Sequence, residues 1–231
     1  MTANQVINIL RELSQPLAIT AKNKRFGIKA DRVIGVFQQD LNAVAKQLGK
    51  NEQLAEALIA TGYYEARLLA AKIYPVNALS ITWMDEQVAK FENWEMCDTY
   101  CLKLFGHHHE APSQIMKWSA SDKEFTKRAA FATLASLTMA DKQANNELFL
   151  SFFPIVEAAS TDERNMVKKA VSWALRSIGK RNKDLQVQAI ALAKDLSTSQ
   201  HSASKWIAKD TLKELHHPSC RIARYPRHLY A

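Results

Sequence analysis

Apolar residues return every three or four positions along almost the whole chain, and this regularity limits the fold more than any single motif does. Val6, Ile9, Leu10 and Leu13 lie on one stripe, and Val33, Val36, Phe37, Leu41 and Val44 on the next. The alternation expected of strands is scarcely seen. Punctuation agrees with this: 6 Gly and 6 Pro in 231 residues leave little turn chemistry for many short strands, while Ala, Leu, Lys, Gln and Glu favour helix. An all-α chain is expected. Further helices are predicted near 51–60, 63–73, 83–91, 94–105, 110–119, 123–139, 145–159, 163–179, 182–197 and 201–215. Short breaks such as Thr61-Gly62, Ser121-Asp122 and Ser160-Thr161-Asp162 separate them.

Consecutive short helices with brief connections can build a globular bundle or a helical solenoid, and internal similarity favours the second. Segments 65–71, 127–134 and 168–175 each set basic residues before or within an Ala/Leu-rich helix. Small alanines let neighbouring helices pack closely, and stacked units would carry Arg67, Lys127, Arg128 and Lys169 along one edge, making a concave basic face suited to a duplex. The plain alternative for each segment is an ordinary core helix with solvated lysines and arginines. No Gly-, Ser- or Pro-rich stretch divides the chain, so a single domain over 1–231 is expected, with a basic, non-helical tail at about 217–231. That tail, Pro218 to His228, either reaches across a DNA groove or folds back on the last repeat.

Lys and Arg number 31 against 23 Asp and Glu, a net charge of +8, which suits a polyanionic partner or an anionic membrane face. No apolar run approaches the roughly 20 residues that span a bilayer, and the amphipathic, mixed-charge N-terminus is unlike a secretory signal. A cytoplasmic monomer that binds no membrane is expected. Cys97, Cys101 and Cys220 are expected as free thiols, the first two as packing residues. His107-His108-His109 cannot all face one ion, no zinc-finger spacing follows the cysteines, and no Gly-rich loop offers a phosphate cradle. Neither a metal nor a cofactor is expected. Trp83, Trp118 and Trp206 read as core or inter-helix residues.

The segment Phe91 to Asp98 carries the chemistry, because Trp94 and Asp98 are four apart and share one face of a helix. Taken alone, this pair also suits a core tryptophan beside an acid in a first turn, where the helix dipole favours negative charge. An ordered set of motifs runs through the chain: Phe26-Gly27-Ile28-Lys29, Tyr64-Glu65-Ala66-Arg67, Asn93 to Asp98, Lys127-Arg128-Ala129-Ala130, and Ala170 to Arg176. This set resembles the AlkD-like family of DNA alkylation repair glycosylases. The resemblance implies a right-handed α-α solenoid of HEAT-like (ARM-type) repeats that holds duplex DNA on its concave face and excises positively charged N3- or N7-alkylated purines. It further implies that Asp98 is the essential carboxylate, that Trp94 and Trp173 are the cleft aromatics, and that Arg128 contacts DNA. Lys29, Arg67, Lys127, Lys169 and Arg176 are the remaining candidate DNA contacts. Cys97 departs from the small or aliphatic residue expected there and leaves the Trp94–Asp98 spacing intact.

The chemistry stands without the analogy. An alkylated purine already bears positive charge and leaves without a general acid, so the barrier lies in the oxocarbenium-like sugar. An ionised Asp98 can stabilise that cation and orient or deprotonate the attacking water. Two electron-rich indoles can flank positive charge, and an arginine can clamp a phosphate. The alternatives are a catalytically inactive DNA-binding repeat protein and a protein-interaction scaffold.

Overall fold

A computed structural model of the chain describes residues 1–231 other than 21, 23, 25, 26, 29 and 231. The described residues hold fifteen α-helices and no strand, and they divide into two compact units, Met1–His108 and His109–Ala231. Among them no helix is long and apolar enough to cross a membrane.

The first unit contains α1 (Ala3–Glu12), α2 (Pro16–Thr20), α3 (Gln38–Leu48), α4 (Glu52–Ala60), α5 (Tyr64–Ile73), α6 (Ile81–Ala89) and α7 (Trp94–Lys103). Local chemistry sets several starts. Thr2 and Gln5 form a reciprocal capping box, and the side chains of Asn51, Ser80 and Asn93 each accept a first-turn amide of α4, α6 and α7. Helix α5 is the centre of the unit: Ala66, Leu68, Leu69, Ala70, Ala71 and Ile73 are fully buried, and it packs against α3, α4 and α7.

The stripe read from Val33 to Val44 is only half helical. Residues 33–37 are not helical, and α3 begins at Gln38. The reason is tertiary. Gly35 takes φ +94°, and the amides of Ile34, Gly35 and Val36 all point at the buried carboxylate of Glu65, at 2.8, 3.0 and 3.4 Å. Those amides would otherwise be stranded in the interior, so an acid on α5 takes the place of helical carbonyls.

The second unit contains α8 (Ala111–Ser119), α9 (Glu124–Ala140), α10 (Asn146–Leu150), α11 (Phe153–Ala159), α12 (Asn165–Gly179), α13 (Lys183–Ser197), α14 (Ser202–Leu215) and α15 (Arg227–Tyr230). It is built in two layers. Helices α9, α12 and α14 pack side by side, and each lies against its hairpin partner, α8, α11 or α13. The helix predicted over 145–159 is two, because the chain turns at Ser151-Phe152 and restarts with Pro154 in its first turn, where the missing amide costs nothing.

The tail folds back on its own unit. Ala223 and Tyr225 donate their amides to Lys180 O and Arg181 O at 2.8 and 2.9 Å, and Asn182 Nδ2 donates to Tyr225 O at 2.6 Å. Beneath it lies the fully buried Arg181, which donates to Thr138 O and Ala144 O and sits against the rings of Phe149 and Tyr225. Residues 227–230 form a single helical turn where no helix was expected.

Candidate functional site

Helix α7 presents Trp94 and Asp98 half-buried on one stripe, while Met96, Cys97, Thr99, Tyr100 and Cys101 are buried. The two cysteines are buried free thiols and serve in packing. The first turn of α7 is unusually well held. Asn93 Oδ1 accepts the Met96 amide at 3.0 Å and lies 3.0 Å from the hydroxyl of Tyr64 on α5. That hydroxyl also donates to Glu95 Oε2 at 2.8 Å, so one proton is shared between two acceptors. Lys22 Nζ reaches the same Glu95 oxygen at 2.8 Å, and Gln38 Nε2 reaches Oε1 at 2.9 Å.

Burial pushes the Glu95 carboxyl up, but the hydrogen bonds from Gln38, Lys22 and Tyr64 outweigh it and hold the group below its ordinary value. Burial and the neighbouring Glu95 carboxylate push the Tyr64 phenol far above the ordinary tyrosine range. Glu95 is thus ionised and Tyr64 neutral near pH 7. Charge at Glu95 also meets the positive end of the α7 dipole. Neither Lys22 nor Gln38 stands out in the sequence, because their partner lies 73 and 57 residues away.

Among the candidate DNA contacts in this unit, Arg67 is half-buried on α5, donating to Lys90 O at 3.2 Å and facing Glu92 at 3.8 Å. Lys29 and Phe26 lie outside the described residues.

In the second unit the candidates fall on two packed helices. Arg128 on α9 is 94% buried by exposure of only 6%, and its Nη1 donates to Met166 O of α12 at 2.7 Å. Lys127 faces Asp162 at 3.4 Å. Asp162 is gripped by Arg164 through Nε at 2.9 Å and Nη2 at 2.5 Å, and these bonds hold its carboxyl down at about 2. Arg164 is a cation that sequence reading passed over; its only sequence signal is the Asp162-Glu163-Arg164 cluster just before α12.

On α12, Trp173 is half-buried, Lys169 is exposed and Lys168 lies 5.3 Å over the ring of Trp206. Arg176 is matched internally: it faces Asp210 at 3.3 Å and is bonded to Glu214, which Lys180 also pairs. Trp206, expected in the core or between helices, is instead exposed, because α14 buries its Ala203, Ser204, Ile207 and Ala208 side and leaves residue 206 off that stripe, whereas the other two tryptophans pack inside. Trp118 is buried, and Trp83 donates to Glu56 at 2.6 Å while stacking near Tyr74 and Tyr100. Of the three histidines, His108 is buried and its two neighbours are exposed.

Comparison with known proteins bears on the fold and the family. No curated protein sequence matches the chain. A solved structure described as one of a new family of proteins related to the HEAT-like repeat DNA glycosylases, with affinity for branched DNA structures, superposes with a TM-score of 0.77 at 20% identity, covering 96% of this chain and 97% of that one. A designed armadillo repeat protein aligns over 78% of this chain and 95% of its own at 14% identity and a TM-score of 0.36. The first likeness gives the fold: all-helical and HEAT-like. The family model described as DNA alkylation repair enzyme matches residues 6–215, and the chain belongs to that family.

Proposed function

We propose that this protein is a monofunctional DNA glycosylase that hydrolyses the N-glycosidic bond of positively charged N3- or N7-alkylated purines in duplex DNA. The observation that carries the reading is the α7 stripe: an indole and a carboxylate one turn apart, half-exposed, on a turn whose position is fixed by Lys22, Gln38, Tyr64, Asn93 and Glu95. Membership of a DNA alkylation repair family supports it.

In this reading the damaged base leaves on its own positive charge, and Asp98 faces the cationic sugar and orients the water that attacks it. Trp94 and Trp173 offer ring faces to positive charge and to the deoxyribose. Arg128, Lys127, Lys169, Arg176, Arg67 and Lys29 serve the phosphate backbone, Lys169 as an exposed cation. No step calls for a metal or a cofactor.

A second reading, a DNA-binding protein without glycosylase activity, is favoured by the affinity for branched DNA of the structurally similar protein. One experiment separates them. Wild type and Asp98→Asn are incubated with a duplex carrying a single N7-methylguanine, binding is verified by gel shift, and abasic sites are counted after alkali cleavage. Release by wild type, with Asp98→Asn bound but slower by at least 100-fold, about 2.7 kcal/mol or more of transition-state stabilisation, is the expected result. Binding by both with release by neither, on N7-methylguanine and N3-methyladenine alike, sinks the enzymatic reading and leaves the binding one.

A further inference from the structure

The first unit carries a polar cavity of about 520 Å³ that the glycosylase reading does not use, lined by Asn4, Asn8, Arg11, Arg32, Thr61 and Tyr63 among others, with no carboxylate in its lining. Two guanidinium groups converge there on one phenol. Arg11, from the last turn of α1, donates Nη2 to Tyr63 OH at 2.8 Å, and Arg32 lies with Cζ 4.5 Å from the centre of the same ring. Neither arginine forms an ion pair among the described residues. Elsewhere the comparable cations are matched, as Arg164 is by Asp162 and Arg176 by Asp210 and Glu214.

The backbone is bent to keep this arrangement. Arg32 is a non-glycine residue at φ +51°, a conformation that costs about 1 kcal/mol or more. Its carbonyl accepts the Tyr64 amide at 3.3 Å, which ties the residue to the start of α5. Its side chain lies across Gly62, at φ +72°, where a Cβ would stand 3.2 Å from Nη1. A side chain at residue 62 would press the guanidinium aside by a few tenths of an ångström.

The donors define the ligand. Arg11 bonds the phenol oxygen of Tyr63, Arg32 lies over its ring, and the side chains of Asn4 and Asn8 line the same cavity. The pull of Arg32 and then Arg11 lowers the Tyr63 phenol below the ordinary tyrosine value, the mark of a site that favours negative charge. A carboxylate has two oxygens, enough for one guanidinium fork. A phosphate has acceptors for two forks and a phenol together.

We propose that Arg11, Arg32 and Tyr63 form a phosphate-binding site. The phosphate is either free or terminal, or a phosphodiester of the DNA backbone, and the test distinguishes these sources. Inorganic phosphate is titrated calorimetrically into wild type, Arg11→Ala/Arg32→Ala and Tyr63→Phe at low ionic strength, and unmodified duplex binding is measured against salt for the same proteins. Arg11→Ala alone, an exposed change on α1, and thermal melting of each variant keep the result separate from misfolding.

At least a tenfold loss of phosphate affinity in the double variant, with an unchanged salt slope for DNA, assigns the site to a free or terminal phosphate. A salt slope shallower by about two, with or without measurable inorganic phosphate binding, assigns it to the DNA backbone. No effect of the substitutions on either ligand overturns the proposal. The calorimetric arm reads the same whether or not the protein is a glycosylase.

Discussion

Asp162 shows how a single carboxylate sets both an edge and a pH limit. It accepts the amide of Arg164, is forked by that residue's guanidinium, and faces Lys127, so three positive or donor groups depend on its charge. Its carboxyl is held at about 2 against an ordinary 3.8. A depressed value means that the stabilisation is fully present above about 3.8 and is lost as the pH falls through about 2. Asp162→Asn should therefore lower stability by about 1–2 kcal/mol at pH 7, a figure reduced for the partial exposure of Arg164, and the gap from wild type should vanish as pH approaches 2. Urea midpoints at pH 7, 4 and 2 check it; an undiminished gap at the lowest pH refutes the assignment. That Trp94 and Asp98 share a helix face was legible because their spacing is local, four residues on one helix. Glu65 was read as part of a motif, and its capture of three amides from residues 34–36 was not, since a partner some thirty residues away leaves no periodic trace.

The elements were legible where one face is apolar and the ends carry capping residues, as Asn51, Asn93 and Asn182 do before α4, α7 and α13. They were misread where a tertiary partner overrode the pattern, as at Val33 to Phe37, or where a helix stops and restarts within two residues, as at Ser151-Phe152. Gly179 at the end of α12 gives the same lesson in energetic form. By propensity alone Gly179→Ala should strengthen the helix by roughly 1 kcal/mol. A methyl there would stand 3.0 Å from Ala189 Cβ and 2.6 Å from Leu215 Cδ1, and neither the short Ala189 nor the buried Leu215 can yield freely. The expected outcome is a net loss of about 1–2 kcal/mol, seen as a lower melting temperature. A raised melting temperature would mean that α13 and α14 are packed more loosely than the geometry states.

At the scale of the molecule, the count of 31 Lys and Arg overstates the cations available to a polyanion, because Lys127, Arg164, Arg176 and Lys180 already face carboxylates. If about five phosphates are neutralised, duplex affinity should fall by roughly 10²–10³-fold between about 50 and 200 mM salt. A flat salt dependence in a filter-binding assay would turn the search toward a protein partner. Within the first unit, the turn that bears Trp94 and Asp98 takes its register from Lys22, Gln38 and Tyr64, three residues of separate stretches of chain. It follows that the motif is not a portable cassette. Grafting Asn93 to Asp98 onto another helical repeat scaffold would transfer the letters and leave behind the clamp that holds their turn.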